Sequence, residues 1–445
     1  MSTGDTNCDD ELRVLMVAGH KIEAIKQCRA ATGAGQAEAT DAVEAFASHS
    51  LAPKRFDVAV DSEVISAYYE GPSLCHPDTT LSMWKRMNLP RRGFLKGLAS
   101  GPAVLSLAFA HNQSHGAESA GTKRTQHRTD WMVQGSYGVM VHWLAPGPAA
   151  EKGPYIRDLN RAVDAFDLDR FLHDFQRTGA AWLIFTIGQN TSYYASPNVT
   201  LDRLAGPGHC SQRDLVFEIA QRLKKLGKRF IAYLPSEVNA PKSLHAAFAW
   251  NPKDQSEFQR RYTDFIREYA VRYGKSLDGW WFDGCYTWNV FPNHTYRWPL
   301  WFDAARAGNS EAIVAFNDGS FCTGTTKAVT PLEDYLSGEV DVLIDGKIRL
   351  GRQTNAPLYL PKSRFVEGTT CQWHALVPID CMWMHGGPGP IPPPKYSDDD
   401  LFRFVKSCKA VGGAVTLNVG VYQEGHMAPA SVEQLHRLGV ALAKK

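Results

Sequence analysis

From Trp131 onward, runs of consecutive apolar residues alternate with stretches in which apolar side chains recur every three to four positions. The runs predict buried strands at residues 137–143, 181–186, 229–234, 277–282, 312–316, 381–384 and 414–419. The recurring stretches predict helices at residues 168–179, 213–226, 256–273 and 431–443. Strands that are apolar on both faces, with helices between them, are typical of a parallel sheet covered by helices.

This alternation predicts an α/β fold, a (β/α)8 TIM-like barrel, because roughly 250 residues of such repeats suffice for one barrel. An open, doubly wound sheet is the alternative. It would need a glycine-rich phosphate loop after its first strand, and residues 144–148 (Leu-Ala-Pro-Gly-Pro) do not provide one. We therefore predict a barrel domain over residues 131–445, preceded by a linker at residues 111–130.

Residues 83–110 resemble a bacterial twin-arginine export signal. Residues 91–96 read Arg-Arg-Gly-Phe-Leu-Lys, and the short apolar stretch that follows ends in Ala-Phe-Ala at residues 108–110. The resemblance implies a periplasmic or secreted protein. Because a signal peptide begins a chain, we expect translation to start at Met83 or Met87. The alternative is a basic amphipathic helix inside a domain.

Residues 11–47 contain two short amphipathic stretches that Gly33 and Gly35 separate. They resemble the C-terminal domain of the bacterial ribosomal stalk protein. With the linker that follows, residues 1–82 are expected to form a small helical N-terminal module. A translation start at Met83 or Met87 would leave this module out of the mature protein.

Charge and cysteine spacing exclude several classes of protein. The 48 Lys and Arg residues nearly balance the 46 Asp and Glu residues, which argues against a nucleic-acid binder with a broad basic surface. No run of 18 or more apolar residues occurs, so no membrane span is expected. The nine cysteines show no spacing typical of a zinc site, so we expect no metal.

Candidate chemistry lies where polar residues end predicted strands, because catalytic groups of barrels lie at the carboxyl ends of strands. Asp283 follows the run Trp-Trp-Phe at residues 280–282. A carboxylate after three large aromatic residues is suited to act as the nucleophile of a glycosidase. The alternative role for Asp283 is to cap the following helix.

A retaining glycosidase needs a second carboxyl group about 5 Å from the nucleophile as general acid/base. The candidates are Glu237, Glu333, Glu339 and Glu367. Glu367 follows Phe-Val and precedes a Gly-Thr-Thr run, and apolar neighbours raise the pKa of a carboxyl group toward the acid role. Glu333 and Glu339 lie in a segment that resembles a solvated loop. Glu367 is therefore the predicted acid/base.

Residues 131–440 resemble the α-L-fucosidases of glycoside hydrolase family 29. The resemblance is carried by residues 138–143, by residues 266–274 running into 277–284, and by residues 412–420. It implies an exo-acting, retaining enzyme with Asp283 as nucleophile. Residues 366–370 resemble the segment that carries the acid/base glutamate of the family, which points to Glu367 in that role. Chemistry with two carboxyl groups requires no cofactor or metal.

One departure concerns the sugar. The family carries His-His-Asp-Gly-Phe after its second strand, whereas residues 186–194 read Thr-Ile-Gly-Gln-Asn-Thr-Ser-Tyr-Tyr. Gln189 and Asn190 are expected to bind sugar hydroxyls instead. The other predicted substrate-binding residues are His142, Trp143, Glu237, Trp281, Trp383 and His385. The expected partner is a fucose-containing or related glycan. A catalytically inactive, carbohydrate-binding relative and a barrel glycosidase for another sugar remain alternatives.

Overall fold

The computed structural model describes residues 126–189, 191–286, 296–319, 325–351 and 353–444. The helical module predicted at residues 1–82, the twin-arginine signal at residues 83–110 and most of the linker lie outside these residues. Asn190 also lies outside them.

The strands are, in chain order, β1 (Gly138–Val141), β2 (Trp182–Thr186), β3 (Arg229–Pro235), β4 (Gly279–Asp283), β5 (Ile313–Phe316), β6 (Leu343–Ile344), β7 (Lys347–Arg349), β8 (Leu358–Tyr359), β9 (His374–Pro378) and β10 (Ala414–Asn418). Seven of them form one parallel sheet in the order β5-β4-β3-β2-β1-β10-β9. The short strands β6, β7 and β8 form a separate antiparallel sheet.

The helices are α1 (Asp130–Gln134), α2 (Leu159–Asp164), α3 (Leu168–Thr178), α4 (Val199–Ala205), α5 (Leu215–Lys225), α6 (Ser256–Tyr273), α7 (Trp298–Ala305), α8 (Asp398–Ala410) and α9 (Pro429–Ala443). Their ends follow local chemistry. Asp167 caps α3 by accepting a hydrogen bond from the Arg170 amide, and Gly179, with φ of 78°, ends it. In the described part of the chain, no helix combines the length and apolarity needed to cross a membrane.

The four predicted helices and six of the seven predicted strands are confirmed. The strand predicted at residues 381–384 is wrong, because the strand in this region is β9, seven residues earlier. Asp380 explains the difference. Its buried Oδ1 accepts hydrogen bonds from the amides of Cys381 (2.6 Å) and Gly420 (2.9 Å), which turns the backbone out of the extended path.

The sheet curls without closing into an eight-stranded barrel. Residues 333–340 lie between the edge strands β5 and β9, with the Asp334 amide bound to the Val314 carbonyl (3.1 Å) and an isolated parallel bridge between Glu339 and Leu376. Gly338 interrupts this segment with φ of 80°, outside extended conformations. The fold is thus consistent with a TIM-like barrel, but the predicted eighth strand is replaced by an irregular segment.

Side chains fill the interior near the amino ends of the strands. The Trp182 indole donates to Thr416 Oγ1 (2.9 Å), and Thr416 contacts His374 Nε2 (2.7 Å). The indole crosses the interior because position 138 is glycine: a Cβ there would lie 1.9 Å from Trp182 Nε1. This half of the sheet is therefore packed core, and inward-facing polar groups collect at the carboxyl ends.

Candidate active site

Asp283 is the last residue of β4 and is almost fully buried. Its carboxylate accepts hydrogen bonds from five donors: Gln189 Nε2 (3.1 Å), Tyr286 OH (2.9 Å), Asn317 Nδ2 (2.8 Å), the Gly284 amide (2.8 Å) and Tyr233 OH. All five groups can donate, and none of them carries a charge, so the surroundings of Asp283 offer hydrogen bonds without an ion pair.

Glu339 is a second buried carboxyl group beside Asp283. Burial raises its pKa well above the usual range, and the charges of Asp283 and Asp318 raise it further. A hydrogen bond from Asn317 acts in the opposite direction. The site thus contains one carboxyl group surrounded by donors and another whose pKa is raised, the asymmetry that separates a nucleophile from a general acid.

Asn317 connects these two carboxyl groups. It directly follows β5, its side chain is fully buried, and it hydrogen-bonds both Asp283 and Glu339. Backbone bonds fix it against β4: its amide donates to the Phe282 carbonyl (2.7 Å), and its carbonyl accepts from the Cys285 amide (2.9 Å). The position of Asn317 is therefore set by the sheet, and it aligns the pair.

His142 follows β1 and faces the same interior. Its Nδ1 lies 3.1 Å from Asn418 Oδ1, and its ring centroid lies 5.0 Å from that of Tyr233 and 5.5 Å from that of Trp383. Burial lowers the pKa of His142 to about 4, so the ring is neutral at neutral pH. Because Asn418 Nδ2 donates to the Trp383 carbonyl (3.0 Å), Asn418 Oδ1 accepts from His142 Nδ1. That tautomer leaves Nε2 as an acceptor for a hydroxyl hydrogen.

Several residues predicted from the sequence come together at this edge. Gln189 bonds Asp283 directly, and Trp383 packs against His142. Trp281 stacks on the Tyr233 ring at 5.1 Å and thereby supports a donor to Asp283. Glu237 is fully buried and packs so closely on Gly284 that a Cβ there would lie 2.6 Å from Glu237 Cγ.

The structure does not bring Glu367 to Asp283. Glu367 is exposed in a turn that precedes β9, whereas Asp283 ends β4. Arg364, three residues earlier, pairs with Asp130, which precedes β1. Since the strands are parallel, Glu367 lies at the amino edge of the sheet, opposite the site. This placement does not support an acid/base role for Glu367.

Two further predicted residues have structural contacts. The Trp143 indole donates to the Gln423 carbonyl (3.0 Å), and its ring packs edge-on against Phe166 at 5.4 Å, which makes it part of the core. His385 lies 5.3 Å from the Tyr422 ring, and its Nε2 contacts the Gly389 carbonyl (2.7 Å), so it anchors the proline-rich loop. Neither side chain has a contact with Asp283 among the described residues.

Sequence reasoning did not assign Tyr233 and Tyr286 to the site, and it ranked Glu339 below Glu367. Tyr233 lies inside β3, so in the sequence it resembles a core residue. Only its hydroxyl group reaches Asp283. Asn317 offered a signal, since it is a polar residue at a strand end. Within the described residues, no group of three or more His, Cys, Asp or Glu side chains is placed to hold a metal ion.

No family model and no curated protein matches the chain. Among solved structures, a variant of the endo-fucoidan hydrolase MfFcnA4 from glycoside hydrolase family 107 aligns at 16% identity with a TM-score of 0.51, over 71% of this chain and 53% of that one. The chain thus spans about half the length of that protein. The family 107 enzyme P5AFcnA aligns at 14% identity with a TM-score of 0.50, over 72% of this chain and 94% of that one.

The α-L-fucosidase AlfC from Lactobacillus casei, in complex with α-L-fucose, aligns at 15% identity with a TM-score of 0.45, over 71% of this chain and 98% of that one. That likeness is too weak to support an argument. The two family 107 alignments show a fold that this chain shares with glycoside hydrolases, at identities that speak for the fold alone.

Proposed function

We propose that the chain is a retaining glycoside hydrolase that acts on a fucose-containing or related glycan, with Asp283 as nucleophile and Glu339 as general acid/base. The observation that carries the proposal is the buried carboxyl pair: five donors surround Asp283, and burial beside it raises the pKa of Glu339. The fold shared with glycoside hydrolases is consistent with this assignment.

In the first step, an oxygen of Asp283 bonds to the anomeric carbon. The bond from that carbon to the leaving oxygen breaks with its electron pair on the oxygen, which takes the proton of Glu339. In the second step, the Glu339 carboxylate removes a proton from water, and the water oxygen displaces Asp283 from the carbon. The donors around Asp283 hold its oxygens in place. They stabilise its negative charge when the bond to the sugar breaks and the carboxylate is released.

Neutral His142 and Gln189 are proposed to orient the sugar through its hydroxyls. Fucose is the sugar that the sequence resemblance implies. Gln189 replaces a histidine of the family pattern, so the assay begins with aryl glycosides of fucose, galactose, xylose and arabinose. Proton NMR of the first product formed reports whether the anomeric configuration is retained.

The substitution Asp283→Ala tests the nucleophile. We expect kcat for the accepted aryl glycoside to fall on the order of 10⁴-fold, because the covalent step is lost. Azide is expected to restore turnover and to give a glycosyl azide of inverted configuration. Unchanged activity would refute the assignment. Sugar binding without hydrolysis of any glycoside by the wild-type chain would favour the inactive, carbohydrate-binding alternative.

Export through the twin-arginine route is part of the proposal and rests on residues 91–110. Sequencing the amino terminus of the native protein tests it. A mature chain that begins at His111 is expected, and one that retains residues before Met83 would contradict it.

A further inference from the structure

A hairpin after β2 links the nucleophile to the protein surface. Gly188 pairs with Tyr194 in an antiparallel bridge, and both Gln189 and Tyr193 lie in the turn that this bridge closes. Gln189 bonds Asp283, so Tyr193 belongs to the same turn as a residue that contacts the proposed nucleophile.

Tyr193 differs from the other exposed apolar side chains in the described part of the chain. It is 39% exposed, whereas Gln189 and His142 are each only 3% exposed. The other large apolar side chains that are comparably exposed are aliphatic: Val199, Leu226, Val271, Leu332, Leu358, Met382 and Val440. An exposed aromatic ring at the rim of a buried polar site has the flat apolar face that binds the C–H face of a sugar.

The backbone around Tyr193 holds this ring in place. Its centroid lies 6.2 Å from that of His209, with the two planes inclined by 31°. His209 Nδ1 lies 2.8 Å from the Ser192 carbonyl, and the Tyr194 amide donates to the His209 carbonyl (2.8 Å). Ser192 has φ of 60°, a costly conformation for a residue with a side chain, and such conformations concentrate at binding sites.

We propose that Tyr193 and His209 form a binding site for the sugar on the leaving-group side of the cleaved bond, so that the substrate is an oligosaccharide. The inference rests on the proposed function. In this proposal the reacting sugar is bound beside Asp283 and His142, and in an exo-acting enzyme only the leaving group extends outward. Tyr193 is exposed and lies in the turn that carries Gln189, which contacts Asp283.

Two substrates of the wild-type enzyme separate this role from catalysis. An α-L-fucosyl disaccharide has a leaving-group sugar, and α-L-fucosyl fluoride has none. For Tyr193→Ala, we expect kcat/KM on the disaccharide to fall about tenfold, mainly through KM, because the stacking contact is lost. Activity on the fluoride is expected to stay unchanged. Tyr193→Phe keeps the ring and should behave as the wild type on both substrates.

Leu332→Ala is the matched control, since Leu332 is 48% exposed and belongs to the amino edge. Equal losses on both substrates for Tyr193→Ala, or no loss on either, would overturn the proposal. If the wild type cleaves neither substrate, the proposed function fails separately. Calorimetric titration of the disaccharide into the wild type and Tyr193→Ala then decides the binding site, since equal affinities would overturn it.

Discussion

Two aspartates at the two ends of β4 have opposite surroundings. Asp278, just before the strand, pairs with Arg229 at 2.6 Å and accepts the Phe230 amide at 2.9 Å. Asp283, at the other end, accepts five hydrogen bonds, none from a cation. An arginine fixes a carboxylate in its charged form, whereas neutral donors leave it available to a developing positive charge.

The same contrast extends over both edges of the sheet. At the amino edge, Asp334 pairs with Arg306 (2.6 Å) and Arg128 (3.6 Å). At the carboxyl edge, no ion pair in the described part of the chain joins Asp283 or Glu339 to a cation. The amino edge also has a cleft of about 1150 Å³ lined by these ion pairs. The two edges thus differ in kind: carboxylates at the amino edge pair with arginines, whereas the buried carboxyl groups at the carboxyl edge face neutral donors, as the proposed chemistry requires.

The strongest test of the comparison is Glu339→Gln. Removal of a general acid costs about 10²- to 10⁴-fold in kcat for substrates with poor leaving groups. Substrates whose leaving group needs no proton, such as glycosyl fluorides, should lose far less in the first step. Because the raised pKa of Glu339 keeps it protonated, the wild-type rate should fall as the pH rises through that pKa, and the variant should lack this limb.

Glu237→Gln is the discriminating variant, since Glu237 is buried next to Gly284. If Glu237→Gln, and not Glu339→Gln, loses rate mainly on substrates with poor leaving groups and lacks the fall in rate at high pH, the assignment of the acid is wrong.

A smaller effect is expected from Asp334→Asn. Asparagine can still accept the Val314 amide bond (2.8 Å), but Arg306 loses its charged partner. We expect the free energy of unfolding to fall by about 1–3 kcal/mol, with kcat/KM unchanged. Urea denaturation and steady-state kinetics measure the two quantities. Glu433→Gln removes the exposed pair with Arg177, and its expected cost is about 0–1 kcal/mol. A loss of kcat/KM in Asp334→Asn at full stability would contradict the division between the edges.

Strand positions and the position of Asp283 could be predicted because both follow local patterns: apolar runs define buried strands, and a polar residue at the end of a run lies at the carboxyl edge. The burial of Glu339 could not be predicted, because it depends on β9, which pairs with it through Leu376 and was itself predicted at residues 381–384. Glu367 has apolar neighbours in sequence, yet it is exposed in space. Apolar neighbours along a turn do not desolvate a carboxyl group; packing from other strands does.

The last prediction concerns the stability of Glu339→Gln. A folded-state pKa above the ordinary value of 4.5 means that the native protein holds the proton of Glu339 at pH values where the unfolded chain has released it. The wild type therefore loses free energy of unfolding as the pH rises from about 4.5 toward the folded pKa, at a rate of up to about 1.4 kcal/mol per pH unit. Glutamine does not titrate, so the variant avoids this loss.

We expect Glu339→Gln to match the wild type near pH 4 and to exceed its stability at pH 7, as measured by urea denaturation at both pH values. Burial raises the pKa of Glu333 to about 8. Because Glu333 titrates in both proteins, its contribution cancels from the difference in free energy of unfolding between variant and wild type. Glu339→Gln should lose activity while it gains stability, whereas Asp334→Asn should lose stability and keep its activity, and this contrast would separate the two edges of the sheet. A stability difference that does not change with pH would mean that Glu339 is ionised in the folded protein and does not serve as the acid.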